Sequence, residues 1–579
     1  MKKTTIFLML TFLILGLPLQ NCFIQKDTGK LYGGTLVIAV PSDPTTTVPS
    51  LDSNFTTQVL GWLIYSTLIN LDKDLNPRPN LAESWEISPD KSKYTFHLIK
   101  NATWDDGKPF TSADVVFTFE EIVKKHNPFG IINYKDLKVY SLNDYTVVFD
   151  FKKPFPTFML YLDLPYYGGA ILPKHLWEGR DVRTNPYNII HTVGTGPFVF
   201  KEYAKKKYMA YIKNGKYFKL GLPYLNNIII KIIPDPTERL LALERGEVDL
   251  LLGETIRLKD FERIKKNQNI DLVFGYDRAI GKIYAIAFNL RIEKITSNSK
   301  VRQAITMAIN REKIHKLIAF GNGEVLYGPV PTTTAFYNSD IPKLRYNPET
   351  AEKLLDEAGY HRGADGTRFE LNYLYTPTPF EAKEIGELIA EDLKNVGIKL
   401  KMDFANATSW KSRISNGNWD MLPWTARTGP DPAFAIAEHF SKNFLWPFGY
   451  NVAHYHNPAV EDLFVKAQFE ANETRRMKMI HQLQAIIASD TPYLFLFSVP
   501  QPNAISKEFP GFNNGPWGSQ SVEKTYWVKG KPVNETLESF SGSFIHDSLK
   551  IVTSLSISTI IIVAIIWIYR RRVSFRTIK

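Results

Sequence analysis

The stretch of residues 81–119 constrains the fold of this chain more than any other, because four local structural signals follow one another in it. Ser88-Pro89-Asp90 is a turn signal, since proline presets φ and aspartate tolerates turn geometry. The alternation of apolar and polar residues over 94–98 predicts a half-buried strand. Asp105-Asp106-Gly107 is a second turn, and either Thr111 or Ser112 is predicted to cap the helix that follows. The stretch therefore predicts turn, strand, turn and helix, and it contains no pair of nucleophile and base.

The same stretch resembles the signature of the family 5 extracellular solute-binding proteins, the oligopeptide and dipeptide binders of ABC importers. That family carries an Ala-Glu-Ser-Trp element, a Pro-Asp turn, a Tyr-Thr-Phe-His-Leu strand, a Trp-x-Asp-Gly turn and a Phe-Thr-x-x-Asp-Val-x-Phe helix start. In this chain these elements are residues 82–85, 89–90, 94–98, 104–107 and 110–117. Further matches, such as Gly-Thr-Gly-Pro-Phe at 194–198, extend the resemblance over roughly residues 33–527.

The resemblance implies an α/β fold with two lobes, of the periplasmic-binding-protein type II, in its three-domain class with an accessory domain. A length of 579 residues agrees with more than one lobe, because single cores rarely exceed about 250–300 residues. Such lobes close on their ligand by a hinge motion. The predicted segments are a signal peptide (1–22), lobe I (31–70, 191–275 and 496–528), an accessory domain inserted in lobe I (71–190), lobe II (276–495), a linker (529–549), a transmembrane helix (550–570) and a cytoplasmic tail (571–579).

Cap residues and apolar spacing predict the helices of the body. Asp235-Pro236 and Asn347-Pro348 each read as an N-cap followed by proline in the first turn, and Gly359 ends the second of these helices. Ser299 is predicted to cap a helix whose apolar face includes Val301 and Ile305. Helical spacing predicts three more helices, within residues 385–396, 460–467 and 477–487.

The net charge of +11 is concentrated at the two ends of the chain. Residues 1–30 carry +3 and residues 550–579 carry +6, which leaves +2 for the body. A nearly neutral body argues against nucleic acid as a partner, because nucleic-acid binding requires a basic face. The single cysteine excludes an intrachain disulfide and a cysteine-rich zinc site.

Both ends carry segments typical of export and membrane anchoring. Lys2-Lys3 precede an apolar run over residues 6–19, which predicts a secretory signal peptide. Cys22 follows this run at a position that resembles a lipoprotein cleavage site, so lipidation and a free thiol are both open. Residues 551–569 are uncharged over a length that can cross a bilayer, with a buried core helix as the alternative. The arginines at 570–572 place the C-terminus in the cytoplasm, and the body is predicted to be extracytoplasmic.

No catalytic motif stands in the sequence, which contains no nucleophile elbow, His-Glu-x-x-His motif, Walker loop or dinucleotide fingerprint. His454 and His456 could share one strand face, but a metal site needs three or four ligands, so cleft or surface histidines are the favoured interpretation. The sequence predicts a protein that is not an enzyme and that needs no cofactor.

The segment of residues 420–432 resembles the part of the family that borders the ligand cleft. In the peptide binders of this family, an aspartate soon after a tryptophan pairs with the α-ammonium group of the ligand. Here Trp424 matches that tryptophan, and Arg427 stands nearest to the position of the acid. Asp431 takes the role instead if the alignment shifts across Pro430, or it is a turn residue. Trp424, Arg427 and Asp431 are therefore the predicted ligand-binding residues, and the choice between Arg427 and Asp431 stays open.

The resemblance implies a membrane-anchored, monomeric protein that captures peptides outside the cytoplasm and delivers them to the permease subunits of an ABC transporter. Two alternatives remain at this point. The ligand could be an oligosaccharide or another small polar solute, or the protein could be a peptide sensor or chaperone without a transport role.

Overall fold

The computed structural model describes residues 32–72, 74–274, 281–427, 429, 431–447, 449–512 and 522–525. The predicted signal peptide, Cys22, the linker, the transmembrane segment and the cytoplasmic tail lie outside these residues. Among the helices of the described residues, none is both long enough and apolar enough to span a membrane.

The strands form four sheets, and they are numbered here in chain order. They are β1 (Thr35–Val40), β2 (Ile69–Leu71), β3 (Pro77–Pro79), β4 (Ala82–Ile87), β5 (Lys93–Leu98), β6 (Lys138–Asn143), β7 (Thr146–Asp150), β8 (Phe198–Ala204), β9 (Tyr208–Lys213), β10 (Asn227–Ile232), β11 (Leu250–Leu251), β12 (Ile270–Val273), β13 (Lys282–Phe288), β14 (Glu324–Val325), β15 (Phe369–Tyr375), β16 (Ile398–Phe404), β17 (Met421–Arg427), β18 (Tyr493–Val499) and β19 (Asn503–Ser506).

The α-helices lie between these strands and after them. They are α1 (Phe55–Ile64), α2 (Ser112–Phe117), α3 (Lys124–His126), α4 (Pro128–Asn133), α5 (Phe158–Leu162), α6 (Lys174–Trp177), α7 (Pro236–Glu244), α8 (Phe261–Lys266), α9 (Ser299–Ala308), α10 (Arg311–Ile318), α11 (Pro348–Glu357), α12 (Ala382–Asn395), α13 (Ala407–Ser415), α14 (Pro432–Phe440), α15 (Pro458–Phe469) and α16 (Glu473–Asp490).

Lobe I is built on a seven-stranded mixed sheet in the order β12-β19-β11-β1-β10-β9-β8. Its central strand β1 runs parallel to both neighbours, β10 and β11, and is buried over almost its whole length. That burial explains the continuous apolar sequence of β1, because a strand covered on both faces does not alternate. The last strand, β19, returns to this sheet from beyond lobe II.

Lobe II is built on a six-stranded mixed sheet in the order β14-β18-β13-β17-β15-β16. Strand β13 lies at its centre and pairs antiparallel with β17 and β18. Strand β18 pairs with β13 on one side and with β14 on the other. The pairing places the C-terminal end of β17, where Arg427 lies, beside the first residue of β13, Lys282.

Residues 81–119 supply the edge strand β4 and the inner strand β5 of the accessory sheet, whose order is β4-β5-β7-β6. The predicted turn, strand, turn and helix are all present there. Tyr94, Phe96 and Leu98 point into an aromatic core. Thr111 is the N-cap of α2, and its backbone N–H donates to Asp114 Oδ2 at 3.0 Å. A carboxylate in the first helical turn satisfies a donor that the helix itself leaves free.

The predicted cap at Ser299 is wrong by one residue. Asn298 is the N-cap of α9, because its side-chain oxygen accepts a hydrogen bond from the Lys300 backbone N–H at 3.0 Å. Both residue types cap helices well, and the backbone leaves its extended conformation one position earlier than predicted. The predicted caps Asp235 and Asn347 are confirmed, and each accepts from backbone N–H groups of its own helix.

Candidate functional site

A cavity of about 620 Å³ lies between the two lobes and the accessory domain. Ser53 and Glu254 line it from lobe I, and β17 and α14 line it from lobe II. Its volume falls within the roughly 300–1,000 Å³ of sites that hold small ligands. Much of the wall is aromatic, through Tyr161, Tyr167, Phe380, Trp410, Trp424, Phe434 and Tyr450.

Trp424 forms one wall of the cavity. Its ring stacks on Trp410 with a centroid distance of 6.3 Å and an interplanar angle of 8°. Trp446 packs edge-on against Trp410, with the ring centroids 5.6 Å apart. The buried indole N–H of Trp424 has no acceptor among the described residues. Trp424 therefore offers a flat apolar surface and one free hydrogen-bond donor.

Arg427 bridges the two lobes. It forms an ion pair with Glu254 of lobe I. Its Nη2 also donates to Gln501 Oε1, which lies just before β19 of lobe I, at 2.8 Å. Arg427 is thus held by partners on the opposite side of the cleft.

Asp431 is the N-cap of α14, and contacts within the protein occupy both of its oxygens. Oδ1 accepts from the Ala433 backbone N–H at 3.2 Å and pairs with Arg476 of α16. Oδ2 accepts from the Tyr161 hydroxyl at 3.0 Å. Burial acts to lower the pKa of Arg476, but the charge of Asp431 outweighs it and raises this pKa. Asp431 therefore joins α14, α16 and the accessory domain.

Glu438 lies on α14 and lines the cavity. Its carboxylate makes no ion pair or hydrogen bond with any described side chain, and burial raises its pKa to about 8. Three tyrosine hydroxyls lie near it, those of Tyr166, Tyr167 and Tyr450. Burial raises the pKa of each of them, and neighbouring charges, including that of Glu438, raise it further. An acid in this setting is mostly protonated at neutral pH, so it is poised to ionise when a cation arrives.

Lys282, at the start of β13, is the second charged side chain of the cavity without an ion-pair partner among the described residues. Its Nζ lies 5.3 Å from the centroid of the Tyr284 ring. Burial lowers the pKa of Lys282, while the charges of Glu254 and Glu381 act in the opposite direction. The ammonium group is therefore placed to accept an anionic partner.

The structure brings the three predicted site residues, Trp424, Arg427 and Asp431, together on the wall of one cavity. Which of them meets the ligand stays a prediction. Sequence reasoning missed Glu438 and Lys282. A signal for Glu438 was present, since this acid stands directly after the apolar run of residues 432–437. Lys282 carries no comparable signal, because its exposure to the cavity depends on its pairing in the sheet.

The two histidines considered for metal binding have other neighbours. His454 Nε2 lies 2.7 Å from Arg291 Nη2, and His456 Nδ1 lies 3.7 Å from Glu461 Oε1. A cationic guanidinium beside His454 disfavours a metal ion there. Within the described part of the chain, no group of three or more His, Cys, Asp or Glu side chains is arranged to hold a metal ion.

A comparison with protein families decides the family of this chain. The family described as bacterial extracellular solute-binding proteins, family 5 Middle, matches residues 76–444, which is more than half of the chain. The chain belongs to this family. The family 5 resemblance seen in the sequence is thereby confirmed, and so is membership of a solute-binding class rather than an enzyme family.

Individual relatives of this family 5 protein cover nearly its whole length. It is 28% identical to the oligopeptide-binding protein AppA of Bacillus subtilis in an alignment 559 residues long that covers 91% of this chain and 99% of AppA. It is 27% identical to heme-binding protein A of Haemophilus influenzae in an alignment 558 residues long that covers 89% of this chain and 97% of that protein.

A solved structure supports the same fold. The periplasmic binding protein DppA of Helicobacter pylori, associated with an ABC transporter and solved in complex with the peptide STSA, matches with a TM-score of 0.75 and 26% identity. The match covers 87% of this chain and all of DppA. The two-lobed α/β fold of the periplasmic binding proteins is therefore confirmed.

Proposed function

We propose that this family 5 protein captures short peptides outside the cytoplasm and delivers them to the permease of an ABC transporter. Of the proteins to which it is similar over most of its length, AppA is named an oligopeptide-binding protein, and DppA was solved in complex with a peptide. DppA is also described as associated with an ABC transporter. The relation to a heme-binding protein means that family membership alone does not set the ligand.

The observation that carries the proposal is the cavity between the two lobes. It is lined from both lobes, about a third of its lining residues are aromatic, and it has a few polar groups of both charges. A peptide presents the matching chemistry, with apolar side chains along a polar backbone that ends in an ammonium and a carboxylate. Lobes that close around such a ligand exclude water and strengthen each polar contact.

Peptides are expected to raise the melting temperature of the purified full chain. A ligand that binds only the folded protein adds RT ln(1 + [L]/Kd), about 2.7 kcal/mol at a hundredfold excess over Kd. Thermal melting with and without an equimolar tripeptide library measures this shift. An oligosaccharide mixture serves as the comparison, and a shift with oligosaccharides alone would assign the cleft to the alternative ligand class.

Transport distinguishes the importer from a peptide sensor or chaperone. In the cell, deletion of this protein is expected to abolish uptake of the peptides that shift its melting temperature. Unchanged uptake would favour the sensor or chaperone. The role of Trp424 as a stacking wall and any contact of Arg427 or Asp431 with the ligand belong to the same proposal.

The proposal includes a membrane-anchored monomer with an extracytoplasmic body and a cytoplasmic C-terminus. It rests on the signal-peptide pattern of residues 1–22, the uncharged run of residues 551–569 and the arginines at 570–572. Cys22 is a second candidate anchor, through lipidation.

Truncation tests the anchors. A chain that ends before Lys550 is expected to leave the membrane fraction, because the apolar run is the span that holds it. If Cys22 carries a lipid, the truncated chain stays bound and is released only when Cys22→Ala is added. Membrane fractionation with immunodetection measures the result. A truncated chain that stays bound even with Cys22→Ala would contradict the proposed topology.

A further inference from the structure

The ionisable side chains of the cavity separate into two groups. Arg427 pairs with Glu254, and Asp431 pairs with Arg476, so these charges are balanced within the protein. Glu438 and Lys282 also line the cavity, and neither forms an ion pair with any described residue. An acid without a charged partner, and a base that lies near Glu254 and Glu381 without forming an ion pair to either, therefore line the same cavity.

Keeping an unpaired ionisable group in an enclosed site is unfavourable unless a partner supplies the missing charge. Apolar replacements would stabilise the empty cleft, so the two groups point to a ligand that pairs with them. A cationic group of the ligand would pair with Glu438, and an anionic group of the ligand would pair with Lys282.

We propose that Glu438 and Lys282 determine the specificity of the cleft, Glu438 by binding the ammonium group of the ligand and Lys282 by binding its carboxylate. The preferred ligand is then a zwitterion, a peptide with both termini free. This inference rests on the proposed function, since it names the groups that select the peptide.

Ligand binding is coupled to proton release at Glu438. Burial holds its carboxyl mostly protonated near neutral pH, and an arriving ammonium group favours the carboxylate. The groups that face it from other elements are the hydroxyls of Tyr166, Tyr167 and Tyr450, which stay protonated at that pH, and no described base pairs with it. The proton that leaves Glu438 therefore passes to the buffer.

The test compares three equimolar tripeptide libraries on the full chain: free, N-acetylated and C-amidated. Thermal-shift titrations give the half-saturating concentration for the parent, Glu438→Gln and Lys282→Gln. In the parent, each modification is expected to weaken binding at least tenfold, because each removes a charge-assisted hydrogen bond. In Glu438→Gln the effect of N-acetylation disappears while that of C-amidation remains, and in Lys282→Gln the reverse holds.

Control variants remove the same charges from exposed positions. Glu349→Gln lies in the first turn of α11, and Lys343→Gln lies shortly before that helix. Both are expected to keep the pattern of the parent. A second measurement uses calorimetry of the parent with the free library in two buffers of different ionisation enthalpy, where proton release should appear and Glu438→Gln should abolish it.

The outcomes separate the two proposals. If the parent binds free and capped libraries equally, or if Glu438→Gln keeps the full N-acetylation effect, the specificity assignment is wrong while peptide capture stands. If the parent binds none of the three libraries, the proposed function fails and this inference fails with it. The comparison of libraries on the parent needs no variant, so a variant that does not fold leaves the test intact.

Discussion

Replacing Asp431 with alanine is expected to lower the free energy of unfolding by about 3–5 kcal/mol, the range for removing one partner of a buried ion pair. Only 4% of Asp431 is exposed, and its carboxylate contacts Arg476, Tyr161 and the first turn of α14. The variant leaves a buried guanidinium without its counter-charge and a helix without its cap. Urea-induced unfolding followed by circular dichroism measures the change.

Asp235 provides a matched control for that experiment. It also caps a helix that begins with proline, and it accepts hydrogen bonds from two backbone N–H groups, but it forms no ion pair with any described residue. The buried Arg239 nearby donates instead to the backbone carbonyls of residues 233 and 234. Asp235→Ala is expected to lower the free energy of unfolding by about 1 kcal/mol, the usual value for a cap. Adding Arg476→Met to Asp431→Ala should restore part of the loss, since the unpaired charge is then gone. An Asp431→Ala variant that loses no more stability than Asp235→Ala would refute the ion-pair argument.

A pH-dependent loss of stability is the second large effect expected, and it comes from Glu438. Its folded pKa of about 8 lies well above the ordinary value of 4.5. The stability that an acid with a raised pKa contributes is fully present when the pH is below its pKa in the unfolded state. That stability is lost as the pH rises through its pKa in the folded state. Between pH 5 and pH 8 the unliganded parent should therefore lose roughly 3 kcal/mol relative to Glu438→Gln.

Other groups make the comparison with the variant necessary. Burial raises the pKa of Asp105 to about 6, which also removes stability as the pH rises. Burial lowers the pKa of His439 to about 4, so this group contributes stability that is lost as the pH falls from its unfolded value. Both contributions are present in parent and variant and cancel in the difference. If the free energies of unfolding of the parent and of Glu438→Gln changed with pH in parallel, Glu438 would ionise normally. That result would contradict the expectation.

The elements that sequence reasoning predicted correctly are those in which the deciding interactions are local. The turn at Ser88-Pro89-Asp90, the cap at Asn347 and the end of a helix at Gly359 depend on backbone preferences within a few residues. Asn298 and Ser299 show the limit of this reasoning. Two adjacent residues can both cap α9, and the path of the preceding chain selects the first.

The candidate site was predictable in part, and the reason is again the range of the interactions. The family resemblance locates the segment with Trp424 and Arg427, because that information is continuous in the sequence. The partners of Arg427 are Glu254 and Gln501, far from it along the chain, and only the fold brings them together. Glu438 and Lys282 form no ion pair with any described residue, and this too depends on the fold and cannot be read from any single segment of the sequence.

The bridge made by Arg427 affects how tightly any ligand is held. An apparent Kd equals the intrinsic value divided by the fraction of molecules in the binding-competent arrangement. Arg427 contacts two groups of the opposite lobe directly, so it favours that arrangement whatever the ligand is. A partly exposed pair contributes up to about 1 kcal/mol, or about fivefold in that fraction. The bridge by itself would then scale the affinity for every ligand by one common factor and leave the ranking of ligands unchanged, so this part of the overall affinity can evolve separately from ligand preference.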